Sequence, residues 1–143
     1  MRNVMKNIVQ KSPWIYRINA GSCNGCDVEM ATAALIPRYD VERLGCKYCG
    51  SPKHADIVLI SGPVTEVVKD KVLRVFNEIP YPKVVVAVGI CPISGGVFRD
   101  SYAARNTLDS LIQVDVNVPG CPPRPQAIID GIAKALEIWK TML

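Results

Sequence analysis

The chain has 143 residues, 49% hydrophobic and 21% charged, which fits one ordinary globular domain over residues 1–143. At that length roughly two-thirds of the unfolded surface is buried on folding, so a packed core needs no disulfide scaffold, and six cysteines are too few for a secreted disulfide framework. A surplus of 17 Lys and Arg over 13 Asp and Glu, net +4, is too mild to make nucleic acid the expected partner.

No acid precedes Asp27, while Arg2, Lys6, Lys11 and Arg17 are basic; this suits an acidic partner or a lipid headgroup layer, or simply a frayed end. The longest apolar run, residues 84–91, is far short of a membrane span and the first residues lack a secretory apolar stretch, so a soluble, reduced, cytoplasmic setting is expected. Residues 14–20 read as a first strand. A helix is predicted over 24–36, with Asn24 suited to the N-cap and Pro37 as the stop. The runs 57–60 and 84–88 are continuously apolar, as in parallel strands buried on both faces. Between them Val64, Val68, Val72, Val75, Phe76 and Ile79 recur at helical spacing, from Thr65 as N-cap to Pro80. A last strand is predicted over 112–116. A final helix starts at Pro125, with Ile128, Ile132, Ala135, Leu136 and Trp139 on its core face. This is a three-layer α/β sandwich with a mostly parallel sheet.

Loops leaving the carboxyl ends of parallel strands share one edge, where ligand sites form. Three cysteine motifs fall in such loops: Gly21-Ser22-Cys23-Asn24-Gly25-Cys26, Gly89-Ile90-Cys91-Pro92 and Pro119-Gly120-Cys121-Pro122-Pro123-Arg124-Pro125. Cys23, Cys26, Cys91 and Cys121 can therefore converge, and four thiolates are the ligand set of an iron-sulfur cluster or a structural zinc. Spacing offers a rival. Cys23-x-x-Cys26 and Cys46-x-x-Cys49, with nineteen residues between the pairs, match a two-knuckle zinc template and would make the chain a zinc-stabilised binding module. That set leaves Cys91 and Cys121 unexplained. A thioredoxin-like dithiol at Cys23 and Cys26 is disfavoured because the flanking aromatic is absent. His54 is the sole histidine, so no catalytic triad is available, and it is expected on the surface.

Several segments together resemble a known family: Ser12-Pro13-Trp14, Cys23-Asn24-Gly25-Cys26-Asp27-Val28-Glu29, Pro37-Arg38-Tyr39-Asp40-Val41-Glu42-Arg43, Ser51-Pro52-Lys53-His54-Ala55-Asp56 and the 118–125 motif. They are similar to the small subunit of membrane-bound, multisubunit NiFe hydrogenases, a relative of the cluster-bearing 20 kDa subunit of respiratory complex I. The resemblance implies a flavodoxin-like fold and one 4Fe-4S cluster, the one nearest the large-subunit active site, held by Cys23, Cys26, Cys91 and Cys121. It further implies an electron-transfer subunit of an oxidoreductase complex that itself breaks no bond. The implied partners are a hydrogenase-like large subunit, a ferredoxin-like iron-sulfur subunit and membrane-anchored subunits, at the cytoplasmic face of the cell membrane. The complex I relative carries two adjacent cysteines where this chain has Cys23-Asn24-Gly25-Cys26, which favours the hydrogenase branch. Cys46 and Cys49 depart from the family pattern, and sulfur-reducing or complex I-like respiratory complexes of the same plan stand as the alternative. Asp27 and Glu29 are candidates for tuning the cluster or meeting the large subunit, or simply complement the positive end of the helix. Arg38, Arg43 and Arg124 are candidates for pairing with acids across the interface or offsetting cluster charge.

Overall fold

In the computed structural model, which describes residues 12–104 and 107–143, the two continuously apolar runs form the middle of the sheet as β3 (Ile57–Ser61) and β4 (Val84–Val88). Every residue of both strands is buried, so neither shows an in-out alternation. β1 (Trp14–Asn19) lies against β3 from Ile15↔Ile57 to Asn19↔Ser61. The two-residue β2 (Lys47–Tyr48) and the three-residue β5 (Val116–Val118) form the edges. All pairings are parallel, in the order β2-β1-β3-β4-β5. This is the flavodoxin-like strand order, in which the connections leaving the neighbouring β1 and β3 run to opposite sides and open a crevice at the carboxyl edge.

Alternate side chains of the strands feed two cores. On one face Ile57, Leu59, Val84, Val86 and Val88 meet Met30 and Ala33 of α1 (Gly25–Leu35) and Ile128, Ile132 and Trp139 of α4 (Pro125–Met142). On the other, Val58, Ile60, Val85 and Ala87 meet Val72 of α2 (Glu66–Glu78), with Leu108 and Ile112 completing the layer. The expected sandwich is therefore present, with a sheet parallel throughout. Arg2, Lys6 and Lys11 lie outside the described residues, and among the described residues no helix is long and apolar enough to cross a membrane.

The last strand comes later than expected. Residues 112–116 were expected to carry it, but the Ile112 N–H donates to the Leu108 carbonyl at 2.9 Å and so closes a turn. The ladder with β4 begins around Asp115, whose carboxylate accepts from the Val85 N–H at 2.8 Å, and continues at Val116. Ile112 is apolar because it fills the α2-side core. The caps also differ in detail. Asn24 and Thr65 stand at the N-caps of α1 and α2, yet neither side chain bonds the helix.

Entry into β4 is fixed by Lys83. Its ammonium donates to the carbonyls of Phe76 (2.8 Å) and Ile79 (3.1 Å) at the end of α2 and sits 3.8 Å from the centre of the Phe76 ring. It thus supplies a donor to carbonyls of the last helical turn, of which Phe76 also accepts from the Ile79 N–H at 3.3 Å. Lys83→Met is expected to cost about 1–3 kcal/mol, seen as a lower urea midpoint.

Candidate metal centre at the carboxyl edge

β1, β4 and β5 all end at the same edge, and each hands the chain to a cysteine. After β1 the chain turns through Gly21 and Ser22 to Cys23, and α1 starts at Gly25 with Cys26 in its first turn. After β4 a single residue, Gly89, separates the strand from the short helix α3 (Ile90–Ser94), so Cys91 sits in a helical turn where a loop was expected. After β5, Cys121 follows Pro119 and Gly120, and the Cys121–Pro122 bond is cis. The last two connections are stitched together: the N–H groups of Gly89 and Ile90 donate to the carbonyls of Val118 (2.8 Å) and Gly120 (2.9 Å).

Close approaches bring the four thiols into one neighbourhood. Gly89 has φ +93°, and a β-carbon there would stand 2.6 Å from the Cys26 sulfur and 3.6 Å from the Gly120 carbonyl oxygen. The β1 loop therefore lies directly over the start of α3. A β-carbon at Gly25 would meet the Cys23 sulfur at 3.6 Å and Pro122 at 3.9 Å, which puts the first and last motifs side by side. Cys26 is buried, Cys91 half-buried, and Cys23 and Cys121 open toward solvent.

The electrostatics agree with the geometry. Burial pushes the Cys26 thiol up to about 11, and the nearby Cys91, Cys23, Asp27 and Cys121 push in the same direction. Cys91 is raised by burial and then by Cys121 and Cys23. The neighbouring thiols thus make Cys26 and Cys91 harder to ionise, a repulsion that a cationic inorganic core relieves. Four convergent sulfur donors with no imidazole suit an iron-sulfur cluster or zinc by their chemistry. Among the described residues no three His, Cys, Asp or Glu side chains stand close enough to hold a single metal ion.

The two-knuckle zinc arrangement is not assembled. β2 pairs with the amino end of β1, Trp14↔Lys47, and the Cys49 N–H donates to Ile15 at 2.8 Å. Cys46 and Cys49 are therefore about 10–20 Å back along β1 from the turn that carries Cys23, at 3.3 Å per residue. They also belong to different faces. Cys46, 2% exposed, joins the α1–α4 core, whereas Cys49 packs against the α2-side core and donates its S–H to the Ser51 carbonyl at 3.3 Å. Burial raises both thiols, Cys46 to about 11, which keeps them protonated and unreactive near neutral pH. The raised Cys26 thiol is likewise the opposite of an activated thioredoxin-type nucleophile.

Other expected residues are placed as follows. His54 is exposed. Arg38 and Arg124 are exposed and line one groove with Glu29, Thr32, Tyr39 and Gln126, beside the Cys121 motif; Arg43 is exposed outside it. Asp27 does not merely face a helix end: it is 6% exposed and bonded to Asn19 and Ser61. Sequence reading overlooked Asn19 and Ser61, although an Asn two residues before a Gly at a strand end is a recognisable turn signal. Beyond Cys91, Val97 and Tyr102 are 85% and 84% exposed and Phe98 is 39% exposed, while Ile90 and Ile93 are half-buried.

Comparison with known proteins gives concordant results. Residues 23–135 match the family model described as NADH ubiquinone oxidoreductase, 20 Kd subunit. The "Probable membrane-bound hydrogenase subunit" of Pyrococcus furiosus is 54% identical over 135 residues, covering 94% of this chain and 80% of that protein. Formate hydrogenlyase subunit 7 of Escherichia coli is 43% identical over 128 residues, 90% of this chain but only 50% of that protein. Among solved structures, a chain of the membrane-bound sulfane sulfur reductase, an archaeal respiratory membrane complex, superposes with a TM-score of 0.82 at 38% identity, covering 99% of this chain and 77% of that one.

Proposed function

The chain belongs to the family of the NADH ubiquinone oxidoreductase 20 Kd subunit, and from that premise we propose that it is the electron-transfer small subunit of a membrane-bound, hydrogenase-like complex, with one 4Fe-4S cluster held by Cys23, Cys26, Cys91 and Cys121. The observation that carries the proposal is the convergence of those four thiols on the carboxyl edge, each in reach of the others' fields. When bound there, a 4Fe-4S cluster supplies reversible one-electron acceptance near a large-subunit active site. The chain's own part is to hold the thiolates rigidly: the Gly89 and Ile90 N–H groups tie the second motif to the third, and Gly25 and Gly89 allow backbone to lie against sulfur. Rigid ligands rearrange little between charge states.

Val97, Phe98 and Tyr102 are large apolar or aromatic side chains open to solvent in the segment that follows Cys91, which fits a surface covered by a large subunit. We place a ferredoxin-like subunit and membrane-anchored subunits in the same complex, and this chain peripherally at the cytoplasmic face of the membrane. The likeness to the sulfane sulfur reductase supports a second reading, in which the terminal acceptor is a sulfur compound. Purification of the intact complex separates the readings. A brown complex absorbing at roughly 400 nm that evolves hydrogen and ignores sulfur compounds is the expected result. Sulfur reduction without hydrogen evolution would transfer the assignment to the second reading, and a colourless preparation would overturn both.

A further inference from the structure

Asp27 is a buried carboxylate that the ligand assignment does not use. Its Oδ2 accepts from the Asn19 side-chain amide at 2.7 Å, and its Oδ1 accepts from the Ser61 hydroxyl at 2.9 Å. The Arg17 guanidinium stands 3.4 Å from Oδ1. A charge at 6% exposure is tolerated only with such partners, so the group is held firmly at the junction of β1, β3 and α1. Asn19 passes that constraint on. With its amide N–H₂ committed to Asp27, its Oδ1 is turned to the following backbone, where it accepts from the N–H of Gly21 (2.9 Å) and of Ser22 (2.8 Å). The Ser22 hydroxyl in turn accepts from the Asn24 N–H at 3.2 Å. Below this turn lies Gly62, φ +93°, where any β-carbon would collide with the Ser22 nitrogen. The turn that presents Cys23 and Cys26 is thus clamped from one side by Gly62 and from the other by an amide whose orientation Asp27 dictates.

We infer that Asp27, acting through Asn19, is a positioning residue for the ligand turn and at the same time a fixed negative charge that holds down the reduction potential of the group bound there, with Arg17 as its partial counterweight. The inference rests on the reading of Cys23, Cys26, Cys91 and Cys121 as cluster ligands. A purely structural role for Asp27 would be met by any residue that keeps the two hydrogen bonds. Asparagine can do so: its oxygen accepts from Asn19, and its N–H₂ donates to Ser61, whose hydroxyl rotates. Asp27→Asn therefore removes the charge and keeps the scaffold. Arg17→Gln does the reverse, since it leaves the carboxylate uncompensated, and its side chain is 46% exposed, so folding should not suffer.

The test is an EPR-monitored redox titration of the intact complex, following the signal that disappears in Cys91→Ala. Asp27→Asn should favour reduction about tenfold, a rise of about 59 mV for one electron. Arg17→Gln should shift the midpoint downward, and by less, because a half-exposed charge is screened. Asn19→Ala should broaden the signal and lower its intensity, as the turn loses its two acceptor bonds. Opposite shifts from the two charge variants support the inference. A Cys91-dependent signal whose midpoint ignores both, or moves the same way in both, overturns it alone. Absence of any Cys91-dependent signal in the unaltered complex overturns the ligand assignment and this inference with it.

Discussion

Cys91→Ala is expected to abolish the 4Fe-4S EPR signal of this subunit while leaving the signals of other subunits in place. Cys91 occupies the first turn of α3, two residues beyond the Gly89 that follows β4, and no other sulfur can substitute from that position. The two thiols not at this edge, Cys46 and Cys49, belong to the amino end of β1 and to the two cores. A cluster deprived of one rigid ligand therefore has no spare donor within reach. The check is spin quantification of the reduced complex against the unaltered protein. Retention of full intensity would mean that the strand-end motifs do not form one site.

Gly89→Ala is expected to be nearly as damaging, although it removes no ligand. A β-carbon there stands 2.6 Å from the Cys26 sulfur, inside the closest approach that carbon and sulfur tolerate, and the φ of +93° is itself unfavourable for any residue but glycine. The two backbones cannot yield, so the Cys26 sulfur must move instead. β4 is buried along its whole length, and Cys26 is anchored in the first turn of α1 next to Asp27. Iron content per complex should fall several-fold, because a ligand misplaced by a fraction of an ångström loses the rigid geometry on which occupancy depends. Gly50→Ala is the matched control: no atom lies within 4 Å of its β-carbon position, and iron content should be unchanged. If Gly89→Ala retained full occupancy, the close packing of the first motif on the second would not matter to the site.

The architecture was legible wherever a local pattern carries the information. Ile57 to Ile60 and Val84 to Val88 announce themselves as doubly buried strands, and the Val64-to-Ile79 stripe as the helix between them, because burial acts residue by residue on the pattern. Ile112 misled for the same reason. Its burial is real, but it is supplied by the turn after Leu108 and not by a strand, and periodicity cannot separate the two. The cysteines illustrate a second limit. The 46–49 pair has the spacing of a metal knuckle, yet its location follows from the register Trp14↔Lys47, which sends it to the edge opposite Cys23. Strand-end placement, by contrast, brought Cys23, Cys26, Cys91 and Cys121 into view, since every parallel strand delivers its loop to one edge. The Asp27–Asn19–Ser61 contacts were illegible because Asp27 and Ser61 are 34 positions apart and meet only through the pairing of β1 with β3.

The most direct measurement of the ligand assignment is the EPR spectrum of the reduced complex carrying Cys46→Ser together with Cys49→Ser. Serine at position 46 puts a hydroxyl into the α1–α4 core at a cost of about 1–3 kcal/mol, so the subunit should be less stable but still assembled. The signal that depends on Cys23, Cys26, Cys91 and Cys121 is predicted at full intensity with unchanged line shape. Its loss in the double variant, with retention in Cys91→Ala, would contradict the assignment and return the metal to the 23–26–46–49 set.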